Sequence, residues 1–186
     1  MEASLVSKSL ADSGEETVRI TFSLSPELAR KLKQEADDSN VSFSALMRHV
    51  LEQHISWTSV AGKAGYTPVP RQMVAMAFEH LTEDQVARVA QNIAKNRSKD
   101  IQLLMTGEYS AQSFLGNIEA WAAQSNMTCK KKVSGGTYEL AIQHDMGKKW
   151  SIYMAKMCEA VLRDSLHKKL EYNFSDSIII LKVRLK

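Results

Sequence analysis

The chain has 186 residues, 44% of them hydrophobic and 24% charged, the composition of an ordinary globular protein of one large or two small domains. Eight Gly and three Pro exclude a collagen-like or linker-dominated chain, and no apolar run approaches the ~20 residues that span a bilayer. Cys129 and Cys158 stand too far apart for a paired-cysteine zinc motif and offer no disulfide framework. The start MEASLVSKSLADSGEE lacks the apolar stretch of a secretory signal, so a reducing cytoplasm is the expected location. The net charge of +3 is divided unevenly. Residues 1–60 hold 6 bases against 9 acids, and residues 61–186 hold 18 bases against 12 acids. Bulk charge alone therefore directs attention to the second part as a nucleic-acid binder; the local pattern of the first part points the other way.

Residues 1–16 are small and polar and read as a flexible arm. From Thr17 to Ser25 apolar and polar residues alternate, with Val18, Ile20, Phe22 and Leu24 on one face and Arg19, Thr21, Ser23 and Ser25 on the other. That period predicts a strand with one dry face. Ser25-Pro26-Glu27 is a helix start, with Ser as cap and Pro at the first helical position. Leu28, Leu32 and Ala36 carry that helix to Asp37, and Asn40 is suited to a left-handed stop. Ser42 opens a second helix whose stripe of Leu46, Val50 and Ile55 runs to about Trp57. Gly62, Gly65, Pro68 and Pro70 mark residues 58–70 as a linker.

Helical patterns follow at about Gln72–Leu81, Glu83–Asn96, Ser98–Met105 and Ser110–Gln124, with Thr82 and Ser110 as caps. Strands are predicted at Met127–Val133 and Thr137–His144 around the Ser134-Gly135-Gly136 turn. A long helix is predicted over Lys148–Leu166, then strands over Lys169–Phe174 and Ile178–Leu185. The fold class is α+β: a small N-terminal module at 17–57, then residues 71–186 as a helical region leading into a ββαββ domain.

One strand and two helices within about 40 residues cannot bury their apolar faces alone, and a lone strand has two unpaired edges. A two-fold dimer answers both needs. Strands from two copies pair as an antiparallel ribbon, Ile20, Phe22 and Leu24 become the dimer core, and Arg19, Thr21 and Ser23 face outward twice. Such a ribbon fits the major groove of DNA. The run ITFSLSPELARKL followed by Asn40-Val41-Ser42-Phe43-Ser44-Ala45-Leu46 resembles the ribbon–helix–helix repressors, relatives of Arc and the methionine repressor. The resemblance covers residues 17–57. It implies a swapped-strand homodimer that binds double-stranded DNA, with base reading by Arg19, Thr21 and Ser23. It further implies a phosphate held by Ser42, Phe43 and Ser44 at the start of the second helix, where free N–H donors suit anions. Many members carry Gly where this chain has Asn40.

The second part carries no resemblance. His80, His144 and His167 with Cys129 and Cys158 have no short ligand spacing, so no metal or other cofactor is expected. His144-Asp145 leads into Gly147 as a turn and helix cap. Lys130, Lys131 and Lys132 read as a solvated strand edge, the alternative being contact with a nucleic-acid backbone. Arg30, Lys31 and Lys33 read as a solvated helix face, with phosphate contact the alternative. Trp121, Trp150, Tyr153 and Tyr138 read as core, with a ligand pocket the alternative. No phosphate loop, nucleophile elbow or zinc-protease helix occurs, and no enzyme is expected.

The expected function is that of a dimeric, cytoplasmic, nucleoid-associated transcriptional regulator of prokaryotic repressor type. Its C-terminal domain would bind an effector or another subunit. The alternative is an antitoxin whose C-terminal part binds a protein toxin; the folded pattern of residues 70–186 speaks for the regulator.

Overall fold

A computed structural model describes Lys8–Ser9 and residues 17–185. The chain divides into two compact units, Met1–His49 and Val50–Lys186. Of the arm expected over residues 1–16, only Lys8–Ser9 lies within the described residues; the rest of that expectation lies outside them.

In the first unit, strand β1 (Lys8–Ser9) pairs antiparallel with β2 (Thr17–Val18), Lys8 opposite Val18 and Ser9 opposite Thr17. The strand expected over Thr17–Ser25 is thus formed only at its first two residues. The reason is physical: a strand exists by its ladder, and this short partner leaves Arg19–Ser25 without one. Helix α1 (Pro26–Asp38) starts as predicted, with Ser25 Oγ accepting the Leu28 N–H at 3.3 Å and Pro26 at the first position. It ends in a Schellman arrangement. Asn40 takes φ 53, its N–H bonds Asp37 O, and the Val41 N–H bonds Ala36 O, both at 3.0 Å. Ser42 Oγ then accepts the Ala45 N–H at 3.1 Å to open α2 (Phe43–Gln53). Among the described residues of this unit only Ala36 and Leu46 are buried.

The second unit begins within the predicted second helix. A π-helical stretch over His54–Thr58 runs into a short α3 (Ser59–Ala61). Within residues 58–70, read from Gly and Pro content as a linker, the stretch up to Tyr66 is packed. Trp57, Ala61 and Ala64 are buried with Met105, and the Trp57 and Tyr66 ring centroids lie 4.7 Å apart. Then come α4 (Arg71–Glu79), α5 (Glu83–Asn96), α6 (Ser98–Thr106) and α7 (Ala111–Gln124). Thr82 and Gln85 form a reciprocal capping box at the head of α5.

Strands β3 (Thr128–Ser134) and β4 (Thr137–Gln143) are joined by a hairpin. Its two-residue loop, Gly135 and Gly136, has φ +55 and +77, the mirror-image turn that only residues free of a Cβ adopt readily. Helix α8 (Lys148–Cys158) continues as a π-helical segment over Glu159–Ser165 rather than the single α-helix expected to Leu166. Strands β5 (Lys169–Phe174) and β6 (Ile178–Arg184) complete an antiparallel sheet in the order β3-β4-β6-β5. Period two puts Tyr138, Leu140 and Ile142 of β4 and Ile179, Leu181 and Val183 of β6 on the dry face, against Leu115, Ile118, Met154 and Cys158 of the helices. On the wet face the register aligns Lys132, Glu139, Lys182 and Glu171 across all four strands. Charges of alternating sign stand opposite one another in that row, the favourable cross-strand arrangement.

Candidate nucleic-acid interface

Two groups of residues make up the candidate interface, and both belong to the first unit. The segment between β2 and α1 holds Arg19, Thr21 and Ser23, all exposed, interleaved with Ile20, Phe22 and Leu24. Ile20 is 78% exposed and Phe22 52%, while Leu24 is half-buried. Within one chain the three expected dimer-core residues are therefore not brought into a core. Leu28 and Val41, further along the same unit, are also exposed. Large apolar side chains left in water on so small a module constitute an unpartnered surface.

The start of α2 has a defined set of donors. The Ser42 hydroxyl accepts from Ala45, and the Ser42 carbonyl accepts the Leu46 N–H at 3.0 Å. Phe43 and Ser44 lie between, ahead of Leu46, the first N–H to enter the helical ladder, so their N–H groups have no intrahelical acceptor. Ser42 thus acts on this turn as its cap. On α1, Lys31 is tied to Glu27 at 2.7 Å, one turn away, with both side chains exposed. Arg30 and Lys33 are exposed on the same helix.

Residues 18–56 match the family model of the ribbon-helix-helix protein, copG family. The match places the residues quoted from the sequence within an N-terminal ribbon-helix-helix domain, and it implies a DNA-binding regulator or antitoxin type of protein. No curated protein matches the chain. Less than a quarter of the sequence lies in the ribbon-helix-helix match, so residues 57–185 are read from their own chemistry.

That chemistry is structural at the titratable positions. His144 is buried, and its Nδ1 accepts the Met146 N–H at 3.0 Å. The proton of the neutral ring is therefore on Nε2, which donates to Ser151 Oγ at 2.8 Å; Ser151 Oγ in turn donates to Ser175 O at 2.6 Å. The direction of this relay is the reverse of a nucleophile activated by a histidine base, which would take the hydroxyl proton. Burial lowers the His144 pKa, with Arg71 acting the same way and Asp145 opposing it. Asp145 at φ 53 and Gly147 at φ +83 make the expected turn into α8. Both cysteines are free, and burial pushes the Cys158 thiol up to about 12, far from a reactive thiolate.

Among the described residues no three of His, Cys, Asp and Glu gather as a metal site, and no helix is long and apolar enough to cross a membrane. Lys131 bonds Glu119 at 3.1 Å and lies 5.0 Å from the centre of the Tyr138 ring. Lys130 and Lys132 point to the opposite, wet side of the strand by its alternation.

Proposed function

We propose that the protein is a homodimeric, sequence-specific DNA-binding transcriptional regulator of the cytoplasm and nucleoid. Segments 17–25 of two copies pair as an antiparallel ribbon, and that ribbon enters the major groove. The observation that carries the reading is the alternation of exposed Ile20 and Phe22 with exposed Arg19, Thr21 and Ser23. One row needs a second copy to leave water, and the other is then displayed on the opposite face. Arg19, Thr21 and Ser23 read base edges, while the Phe43 and Ser44 amides, organised by Ser42, hold a phosphate. The C-terminal unit serves as the sensing part. Its extensive core of helices on a four-stranded sheet supports a regulator over an antitoxin whose tail folds on a toxin.

Binding selection on random duplexes tests the ribbon. Arg19→Ala is expected to relax preference at one base of each half-site, the loss of roughly 1–3 kcal/mol of discrimination that a bidentate arginine–guanine pair provides. Thr21→Ala and Ser23→Ala act likewise but more weakly. Unchanged base preference in all three variants would remove the ribbon as reader and shift attention to Lys130 and Lys132.

A further inference from the structure

The helices of the second unit cover one face of the four-stranded sheet. On the other face the register stacks three rows of side chains. Ser134, Thr137, Arg184 and Lys169 form the first, Lys132, Glu139, Lys182 and Glu171 the second, and Lys130, Ala141, Ile180 and Asn173 the third. These rows hold five basic residues and two acids, an excess of three. Residues 61–186 as a whole have an excess of six, so half of it stands on one side of one sheet. With strands about 4.8 Å apart and about 3.4 Å per residue, the rows fit within about 14 Å in each direction.

Both acids are already engaged. Glu139 pairs with Lys182 at 3.4 Å, and Glu171 with Lys169 at 3.6 Å. Lys130, Lys132 and Arg184 are exposed and have no carboxylate partner among the described residues. They run diagonally over the sheet, with Lys130 and Arg184 roughly 17 Å apart at Cα by the same spacings. Protection of an open edge accounts for lysine on β3. It does not account for Arg184, on the inner strand β6.

We infer that this face is a sequence-independent binding surface for the phosphate backbone of double-stranded DNA. The choice of polymer rests on the DNA-binding reading of residues 18–56, and two observations support it. Residues 1–60 hold 6 bases against 9 acids, so the reading module brings little of the counter-charge that drives binding to phosphates. The sheet supplies it. The face also carries no Phe, Tyr or Trp, since Tyr138, Tyr172 and Phe174 alternate to the helix side. Single strands are held by stacking on aromatic rings, and membrane interfaces take up large apolar side chains such as Trp, Phe and Leu. A duplex presents neither demand: a length of roughly 17 Å offers about ten phosphates to three free cations. Such contacts hold and position the polymer without reading its sequence.

The experiment measures binding of the full-length protein to a short random-sequence duplex by fluorescence anisotropy, between about 50 and 200 mM salt. Joint substitution of Lys130→Gln, Lys132→Gln and Arg184→Gln should reduce the slope of log affinity against log salt by about 2.7 per bound chain, or about 0.9 per lost phosphate contact. Affinity at about 0.1 M salt should fall at least tenfold for every sequence alike. Lys132→Gln and Arg184→Gln taken singly, at about 0.9 each, keep the test available if the joint variant has a lowered unfolding midpoint. Arg88→Gln, Lys95→Gln and Lys99→Gln together remove the same charge from exposed positions on α5 and α6 and should leave the slope nearly unchanged. No binding of the duplex by the unsubstituted protein, an unchanged slope in the sheet variants, or an equal loss in the helix variant overturns the inference. So does a loss confined to single-stranded DNA or to phosphatidylserine vesicles. The ribbon reading fails separately, when Arg19→Ala, Thr21→Ala and Ser23→Ala keep the base preference while the salt slope still depends on the sheet.

Discussion

Phe22→Ala is the substitution that probes the assembly most directly. Phe22 is 52% exposed in one chain, and a phenylalanine buries on the order of 200 Å² when fully enclosed. Pairing of two copies therefore has about 100 Å² per Phe22 still to remove from water. At ~25 cal/mol per Å² that contributes about 2.5 kcal/mol per chain and about 5 kcal/mol per dimer. Since about 1.4 kcal/mol is a tenfold change, the dimer dissociation constant should rise by roughly three to four decades. Sedimentation velocity over a concentration series reads this as a shift of the monomer–dimer midpoint. Thr21→Ala, one position earlier on the polar row, serves as the control and should leave the midpoint in place. If Phe22→Ala leaves the midpoint within threefold, or Thr21→Ala moves it equally, the apolar row is not the contact.

Two further outcomes follow from local geometry. The His144 ring holds its proton less readily in the fold than in the unfolded chain. Above its ordinary value of about 6.5 both states are neutral and stability is intact. As pH falls below that value the unfolded chain takes up a proton that the fold refuses, so stability drops by at most about 1.4 kcal/mol per pH unit. Urea unfolding at pH 7.5 and 5.5 measures the drop, and His144→Gln, which can keep both hydrogen bonds, should flatten it; a level profile in the unsubstituted protein would show that His144 protonates in place. At Asn40, with φ 53, Asn40→Gly should hold or raise the unfolding midpoint, whereas Asn40→Val should lower stability by about 1–2 kcal/mol, and equal midpoints would refute the strain argument.

Much of this architecture was legible because short-range chemistry dictated it. Ser25-Pro26, Thr82 and Ser110 are caps whose hydrogen bonds close three residues on, so four-residue windows sufficed to place α1, α5 and α7. The alternation along Tyr138–Ile142 and Ile179–Val183 identified the dry face of the sheet in the same way. Long-range packing overrode local signals elsewhere. Gly62, Gly65, Pro68 and Pro70 read as a linker, yet the Trp57 and Tyr66 rings pack at a tilt across the stretch containing the two glycines. The π-helical bonding of Glu159–Ser165 adds a residue per turn without altering the apolar pattern enough to be seen. Trp121, Trp150 and Tyr153 read as core with a ligand pocket as the alternative, and they both pack in or against the core and line a cavity. The available signals were Gln102 and Asn117, amides set among buried helical positions where an apolar side chain would be expected. The candidate DNA-reading residues were legible individually, whereas their common surface, under the proposed pairing, belongs to two chains.

The order β3-β4-β6-β5 leaves β3 and β5 as the open edges of the large sheet. Those edges carry Lys130, Lys131 and Lys132 on one side and Lys169 and Glu171 on the other. Lysine on an edge opposes the approach of a second strand, because a charge would have to be dried or set against another. A subunit with two receptive edges grows head to tail without limit, while a subunit with one self-complementary edge closes at two. Among the described residues, the alternating apolar row of Ile20, Phe22 and Leu24 lies outside any strand ladder, and the isologous pairing proposed for it would consume it in both copies at once. The lysine run on β3 can therefore be understood as a stop to polymerisation through the large sheet; under the proposed ribbon pairing it leaves the assembly finite and symmetric, the kind that fits a two-fold symmetric stretch of double helix.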